Sequence, residues 1–160
     1  MHIFLDFEAS SLSKQSYPIE VGWVFEDGTG EGYLIRPAPN WTEWDVTAQA
    51  IHGIAQDQLE RDGTAHDVVC TRLVEVFEGN VVYASAPSWD GHWLSMLLRA
   101  AGRPRHLLRL KDSQEAFKSA ANGSAERIAE ARKAVAGRPV AHRAVDDARR
   151  EWEIWVALSK

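Results

Sequence analysis

Ile3-Phe4-Leu5-Asp6-Phe7-Glu8-Ala9 is the stretch on which the reading of this chain turns. An apolar run enters it, and two acids, Asp6 and Glu8, stand at its end with one residue between them. On a β-strand, residues i and i+2 point to the same face, so the spacing puts both carboxylates side by side at the end of a strand. Such a pair alone is commonly a solvated sheet edge. It gains meaning from three more polar residues further along the 160-residue chain. Asp90 comes after a second apolar strand, Val81-Val82-Tyr83-Ala84. His142 and Asp147 stand together in Ala141-His142-Arg143-Ala144-Val145-Asp146-Asp147-Ala148.

His2–Glu8 reads as the first strand. Pro18–Phe25 alternates Ile19, Val21, Trp23 and Phe25 with period two and reads as the second. The turn Glu26-Asp27-Gly28-Thr29-Gly30 returns the chain into a third, Glu31–Ile35, completing an antiparallel meander. The segment with Pro37, Pro39, Asn40, Trp41 and Trp44 reads as irregular. Thr64–Glu78 has apolar residues at helical spacing and ends at Gly79. A strand over Asn80–Ala84, a helix over Ser88–Ala101 and a short strand over His106–Leu110 come next, then helices around Ser113–Ala121 and Ser124–Ala136. A last helix carries the stripe Val145, Ala148, Trp152, Trp155 and Val156. This order predicts an α/β fold with a mixed five-stranded sheet, its three-strand meander antiparallel, flanked by helices.

The length suits one domain, residues 1–160. Cys70, the sole cysteine, lies in an apolar run and is expected to be a small buried residue. The chain starts directly on a strand, without a basic leader or a membrane-length apolar run. A cytoplasmic protein with no membrane partner is expected. The net charge of −5 is unevenly spread. Residues 1–98 hold four Lys/Arg against fifteen Asp/Glu, a balance of −11, and residues 99–160 hold fourteen against eight, a balance of +6. Polyanion binding depends on local rather than total charge. Arg99, Arg103, Arg105, Arg109 and Lys111 are therefore candidate phosphate contacts, with a solvated helix end as the alternative reading.

Four acids and a histidine suit phosphodiester hydrolysis. That reaction, run on two hard cations about 3.5–4 Å apart, needs several converging carboxylates and a base for the attacking water. His142 and Asp147 are five apart, which on one helix would turn them about 140° from each other. The spacing therefore places His142 on a loop and Asp147 in the first turns of the helix behind it. There the imidazole can accept a proton from water.

The chain resembles the DEDDh branch of the DnaQ-like 3′–5′ exonucleases, whose fold is ribonuclease-H-like. The resemblance is carried by Ile3–Ala9, by Pro18-Ile19-Glu20-Val21-Gly22, by Val46–Ile54, by Ser88-Trp89-Asp90-Gly91-His92-Trp93-Leu94 and by His142–Ala148. The sister branch has a tyrosine where this chain has Arg143. The resemblance implies Asp6, Glu8, Asp90 and Asp147 as ligands of two Mg²⁺ or Mn²⁺ ions and His142 as general base. It implies Phe7, Ala9, Ser10, Ile51 and His52 beside the terminal nucleotide, with turn and core packing as their alternative roles. The implied partner is the 3′ end of single-stranded DNA or RNA, released as nucleoside 5′-monophosphates. The sequence does not decide between monomer and homodimer.

One departure stands out. The family usually has a His-Asn pair ahead of the second-motif acid, where this chain has Ser85 and Ala86. That change leaves room for a binding module with little or no turnover, and a phosphoesterase acting on small nucleotides would use the same carboxylate cage. Trp89 stands in place of a common Phe. It lies four residues before Trp93 on one helix face, and the pair reads as core packing ahead of base stacking.

Overall fold

β1 (His2–Ala9) lies inside the sheet, hydrogen-bonded on both sides, and every part of the candidate site is arranged around its end. The computed structural model describes residues 1–160. β1 pairs antiparallel with β2 (Pro18–Phe25), and β2 with β3 (Gly30–Arg36), the meander expected from the sequence. On its other side β1 pairs parallel with β5 (Val81–Ala84), which pairs parallel with β6 (Leu110–Asp112). The sheet has six strands, not five, in the order β4-β3-β2-β1-β5-β6. The extra strand, β4 (Thr64–Ala65), is two residues long and pairs parallel with the end of β3. A strand that short has no alternation to detect. It occupies the start of the segment expected to be helical from Thr64, so α3 begins only at His66 and runs to Phe77.

Seven helices complete the fold. α1 (Val46–His52) and α2 (Gln56–Asp62) fill ground that had no assigned helix. Each has seven residues, under two full turns. α1 is defined by its ends: Asp45 accepts from Thr47 N–H, and Gly53 closes it at φ 70. α4 (Pro87–Ala100) follows β5, α5 (Ser113–Ala120) follows β6, and α6 (Ala125–Ala136) and α7 (Ala144–Leu158) end the chain. β6 starts four residues later than expected, because His106–Arg109 is spent on turns after Pro104 and only Leu110–Asp112 meets Val82–Ala84.

The sheet is covered on both faces. Ile3, Leu5, Phe7 and Ala9 of β1 join Leu73, Leu94 and Leu97 of α3 and α4 in the larger core. Phe4 points to the opposite side, with Phe117, Ile154 and Leu158 of α5 and α7. β2 is therefore buried along nearly its whole length, and Cys70 is buried in the larger core. Asp6 and Glu8 share Phe4's side by alternation, which aims them toward α7. No helix is long and apolar enough to cross a membrane.

Candidate active site

Three carboxylates converge. Oxygens of Asp6, Glu8 and Asp147 all lie within 4.8 Å of one another. β1 supplies the first two by its period of two. α7 supplies the third from its first turn, where an acid is favoured by the helix dipole. Asp90 approaches from the first turn of α4 and is only 2% exposed. Its Oδ2 is buried without a hydrogen-bond partner. Leaving a buried carboxylate oxygen unsatisfied is costly, so the place calls for a proton or a cation.

The electrostatics agree. Asp6 is raised well above the ordinary carboxylate range, by burial first and then by Asp90, Glu8, Asp147 and Glu151. Glu8 is pushed up to about 8 by burial, then by Asp147 and Glu20. Asp90 is pushed up to about 7, mainly by burial, although the Ala86 and Phe7 backbone groups pull it partly back. Asp147 is raised by burial and drawn back first by His142. Together these acids concentrate negative charge in a partly dry place. An all-oxygen donor set of this kind fits a hard divalent cation such as Mg²⁺ or Mn²⁺.

His142 precedes α7 in the left-handed region at φ 48 and is exposed. A residue other than glycine held there carries a cost of about 1–3 kcal/mol, and His142 is near enough to Asp147 to act on it by charge. Arg143 is the helix N-cap position but makes no capping bond of its own. Glu20 of β2 takes over that role: its carboxylate accepts from Ala144 N–H at 3.1 Å and from Arg143 Nη2 and Nε at 2.6 and 3.0 Å. Gly22, two residues on, sits directly under backbone atoms of Ala144 and Val145, with Ala144 C only 2.6 Å from where a Cβ would stand. Glu20 and Gly22 thus seat the start of α7 on the sheet.

The residues expected around a terminal nucleotide are placed unevenly. Phe7, Ala9, Ser10 and His52 are all buried, whereas Ile51 is exposed. Ser10 Oγ donates to Glu43 at 2.6 Å and accepts from Tyr17 N–H at 3.1 Å, so its hydroxyl holds the loop. His52 Nδ1 accepts from Ile54 N–H at 3.0 Å. Ser85 and Ala86, which stand where a His-Asn pair is usual, are exposed. Of the basic candidates, Arg99 lies at the far end of α4, Arg103, Arg105 and Arg109 in the segment beyond it, and Lys111 on β6.

Glu151 escaped the sequence reading. It stands one turn after Asp147 on α7, accepts from Ser113 Oγ, and adds to the charge on both Asp6 and Asp90. Its spacing of four from Asp147 was the available signal, but acids on exposed helix faces are common. Glu20 was visible only as part of a motif, and Glu43 not at all.

The exonuclease family model of the ribonuclease T type matches residues 3–154. No curated protein matches the chain. Among solved structures, the zinc-bound complex of Escherichia coli exonuclease I with single-stranded DNA is 14% identical, with a TM-score of 0.70. The match covers 94% of this chain and 38% of that one. A structure of exonuclease I said to suggest how processivity is achieved gives 16%, 0.71, and 94% and 39% coverage. The E. coli enzyme with a dA16 oligonucleotide gives 14%, 0.60, and 75% and 29%. The chain thus spans less than two-fifths of the length of the structures it resembles, and at such identities the likeness is one of fold. With the family match running over nearly all of its length, this chain belongs to the ribonuclease T-type exonuclease family.

Proposed function

We propose that residues 1–160 act as one 3′–5′ exonuclease domain, shortening single-stranded DNA or RNA from the 3′ end and releasing nucleoside 5′-monophosphates. One observation carries this reading: in a member of an exonuclease family, three carboxylates from two distant elements meet within 4.8 Å of one another. Asp6, Glu8 and Asp147 would hold one divalent ion, and Asp6 with Asp90 a second. Such ions, Mg²⁺ or Mn²⁺, would neutralise phosphate charge, activate water and stabilise the departing 3′-oxygen.

The chain's own residues do the rest. His142 takes the proton from the attacking water, and its exposed position lets the imidazole pass that proton to solvent. Exposed Ile51 offers an apolar surface to the last base or sugar. The buried Phe7, Ala9 and Ser10 act by shaping the loop after Glu8.

The test is to incubate 5′-labelled DNA and RNA oligonucleotides with Mg²⁺ or Mn²⁺. A ladder shortening from the 3′ end is expected, absent in Asp6→Ala and slowed about 10²–10⁴-fold in His142→Ala. Binding without shortening under either metal, or hydrolysis confined to mononucleotide esters, would overturn the proposal.

A further inference from the structure

α7 brings a further acid to the site, one turn behind Asp147. Asp147, Glu151 and Trp155 recur at intervals of four, so they form one stripe along the helix. Both ends of that stripe are fixed over β1. The Asp147 carboxylate meets those of Asp6 and Glu8, and the Trp155 ring lies 5.8 Å from that of Phe4, centroid to centroid. Glu151, midway between them, therefore lies over the stretch of β1 from Asp6 back to Phe4. The other flank of α7 is spent on the β2–β3 turn, where Arg149 donates to Gly28 O at 2.9 Å and Trp152 to Glu26 O at 3.1 Å. Buried Ala148 faces the sheet between the two flanks.

Glu151 is held in place without being neutralised. It accepts from Ser113 Oγ, and Ser113, fully buried at the start of α5, directly follows β6. That bond draws the carboxylate to the β5–β6 side of β1, the side from which Asp90 enters at the start of α4. No lysine or arginine forms an ion pair with it. Arg132 and Arg150 act on it by charge from further off. Its own charge reaches both Asp6 and Asp90, yet it stands outside the trio gathered within 4.8 Å. Asp90 Oδ2, buried without a partner, is a second acceptor that this side of the site leaves unanswered. An anchored carboxylate just beyond direct ligation suits a hydrated divalent cation, because it can accept a hydrogen bond from one of the cation's waters.

We propose that Glu151, oriented by Ser113, is a positioning residue for the second divalent cation, the one that Asp6 and Asp90 would hold. It adds charge and a hydrogen-bond acceptor beside that ion and so sets its affinity. The proposal rests on the exonuclease reading for the place of the two ions and adds to it a fifth acid. A clasp between α5 and α7 alone would need the hydrogen bond of Glu151 but not its charge.

The experiment titrates metal-free protein with Mn²⁺, followed by calorimetry and by the paramagnetic resonance signal of free Mn²⁺. Wild type should take up two ions. Glu151→Gln keeps an oxygen for the Ser113 hydroxyl and loses the charge. It should bind the tighter ion as wild type does and the weaker one about 10–100-fold less well. Ser113→Ala, which keeps the charge without its anchor, should fall between. Wild-type affinity for both ions in Glu151→Gln overturns the proposal, as does an equal loss at both sites or a single ion in wild type. Thermal melting in EDTA checks the fold. If Glu151→Gln is unfolded, Glu151→Asp and Ser113→Ala decide, and a loss not confined to the weaker ion overturns the proposal. Cleavage of a 5′-labelled oligonucleotide across a range of Mn²⁺ separates this from the catalytic reading. If no strand is cut but the weaker ion depends on Glu151, the positioning role stands and the hydrolytic assignment fails. If strands are cut and Glu151→Gln needs no more Mn²⁺ than wild type, the positioning role fails and the nuclease stands.

Discussion

Glu8 and Glu20 are direct partners across β1 and β2. Like charges facing each other on a sheet are destabilising, and here the pair lies against a helix. Arg143 offsets the repulsion by gripping Glu20 through Nε and Nη2. The side chain of Glu20 is 8% exposed and that of Arg143 44%. The arginine therefore reaches in from the loop before α7, tying the residue after His142 to the strand beside Glu8. The proposed base and the carboxylate cluster are thereby tied to one strand of the sheet.

Removing the arginine should expose that coupling. Arg143→Ala leaves Glu20 buried with the Ala144 amide alone, and should lower the unfolding free energy by about 2–3 kcal/mol in urea titrations. Arg143→Lys keeps the charge without the two-pronged fork and should fall between. In both, kcat should drop more than KM rises, because His142 loses its fixed place. Lysine behaving like wild type in stability and kcat would show that the fork is not needed.

Metal-free protein should lose stability as the pH rises. Glu8 and Asp90 have folded-state pKa values of about 8 and about 7, above their ordinary 4.5 and 3.8. The folded state then binds more protons than the unfolded chain between about pH 4 and 8, so stability falls across that window. A bound divalent cation would replace those protons. With EDTA the Tm should decline from pH 5 to 8, and millimolar metal should flatten the decline and raise the Tm. A Tm in EDTA that climbs over this range, or ignores metal at pH 8, would speak against the cage.

The legibility of the fold and the site in the sequence divides by physical cause. β2 was placed with its observed ends, since Pro18 and the Gly28 turn bracket an unbroken apolar alternation. The acids could be placed because strand period and helix start fix where Asp6, Glu8 and Asp147 point. α1, α2 and β4 could not, because segments of two to seven residues leave too few repeats to show a period. Ser10 was placed beside the substrate by the family resemblance, while its bond to Glu43, thirty-three residues away, is a contact of tertiary packing that the sequence does not show. Glu151 was hidden for a related reason: its burial depends on Ser113 of α5 closing over it.

Asp90 should show stability traded for function. Its buried, unpartnered oxygen becomes an amide in Asp90→Asn, which removes a charge from beside Asp6 and Glu151. Without metal, the variant's Tm at pH 8 should exceed that of wild type. Its nuclease activity should fall at least about 10²-fold, and the rise in Tm given by Mn²⁺ should shrink. A variant less stable than wild type in EDTA would mean that the carboxylate is held by its surroundings as an anion, contrary to what its burial implies.

Gly22 should prove sensitive for a steric reason. It lies two residues after Glu20 on β2, and a methyl group there would stand 2.6 Å from Ala144 C and closer still to Val145 N. Both are backbone atoms in the first turn of α7, so no side-chain rotation relieves the clash. Gly22→Ala must push the helix start off the sheet, carrying Asp147 away from Asp6 and Glu8. The expected loss is about 1–3 kcal/mol of stability, with a fall in metal affinity larger than that in Arg99→Glu, which lies at the far end of α4. Isothermal titration with Mn²⁺ alongside urea unfolding measures both. Wild-type metal affinity in Gly22→Ala would mean that the close seating of α7 is dispensable for gathering the carboxylates.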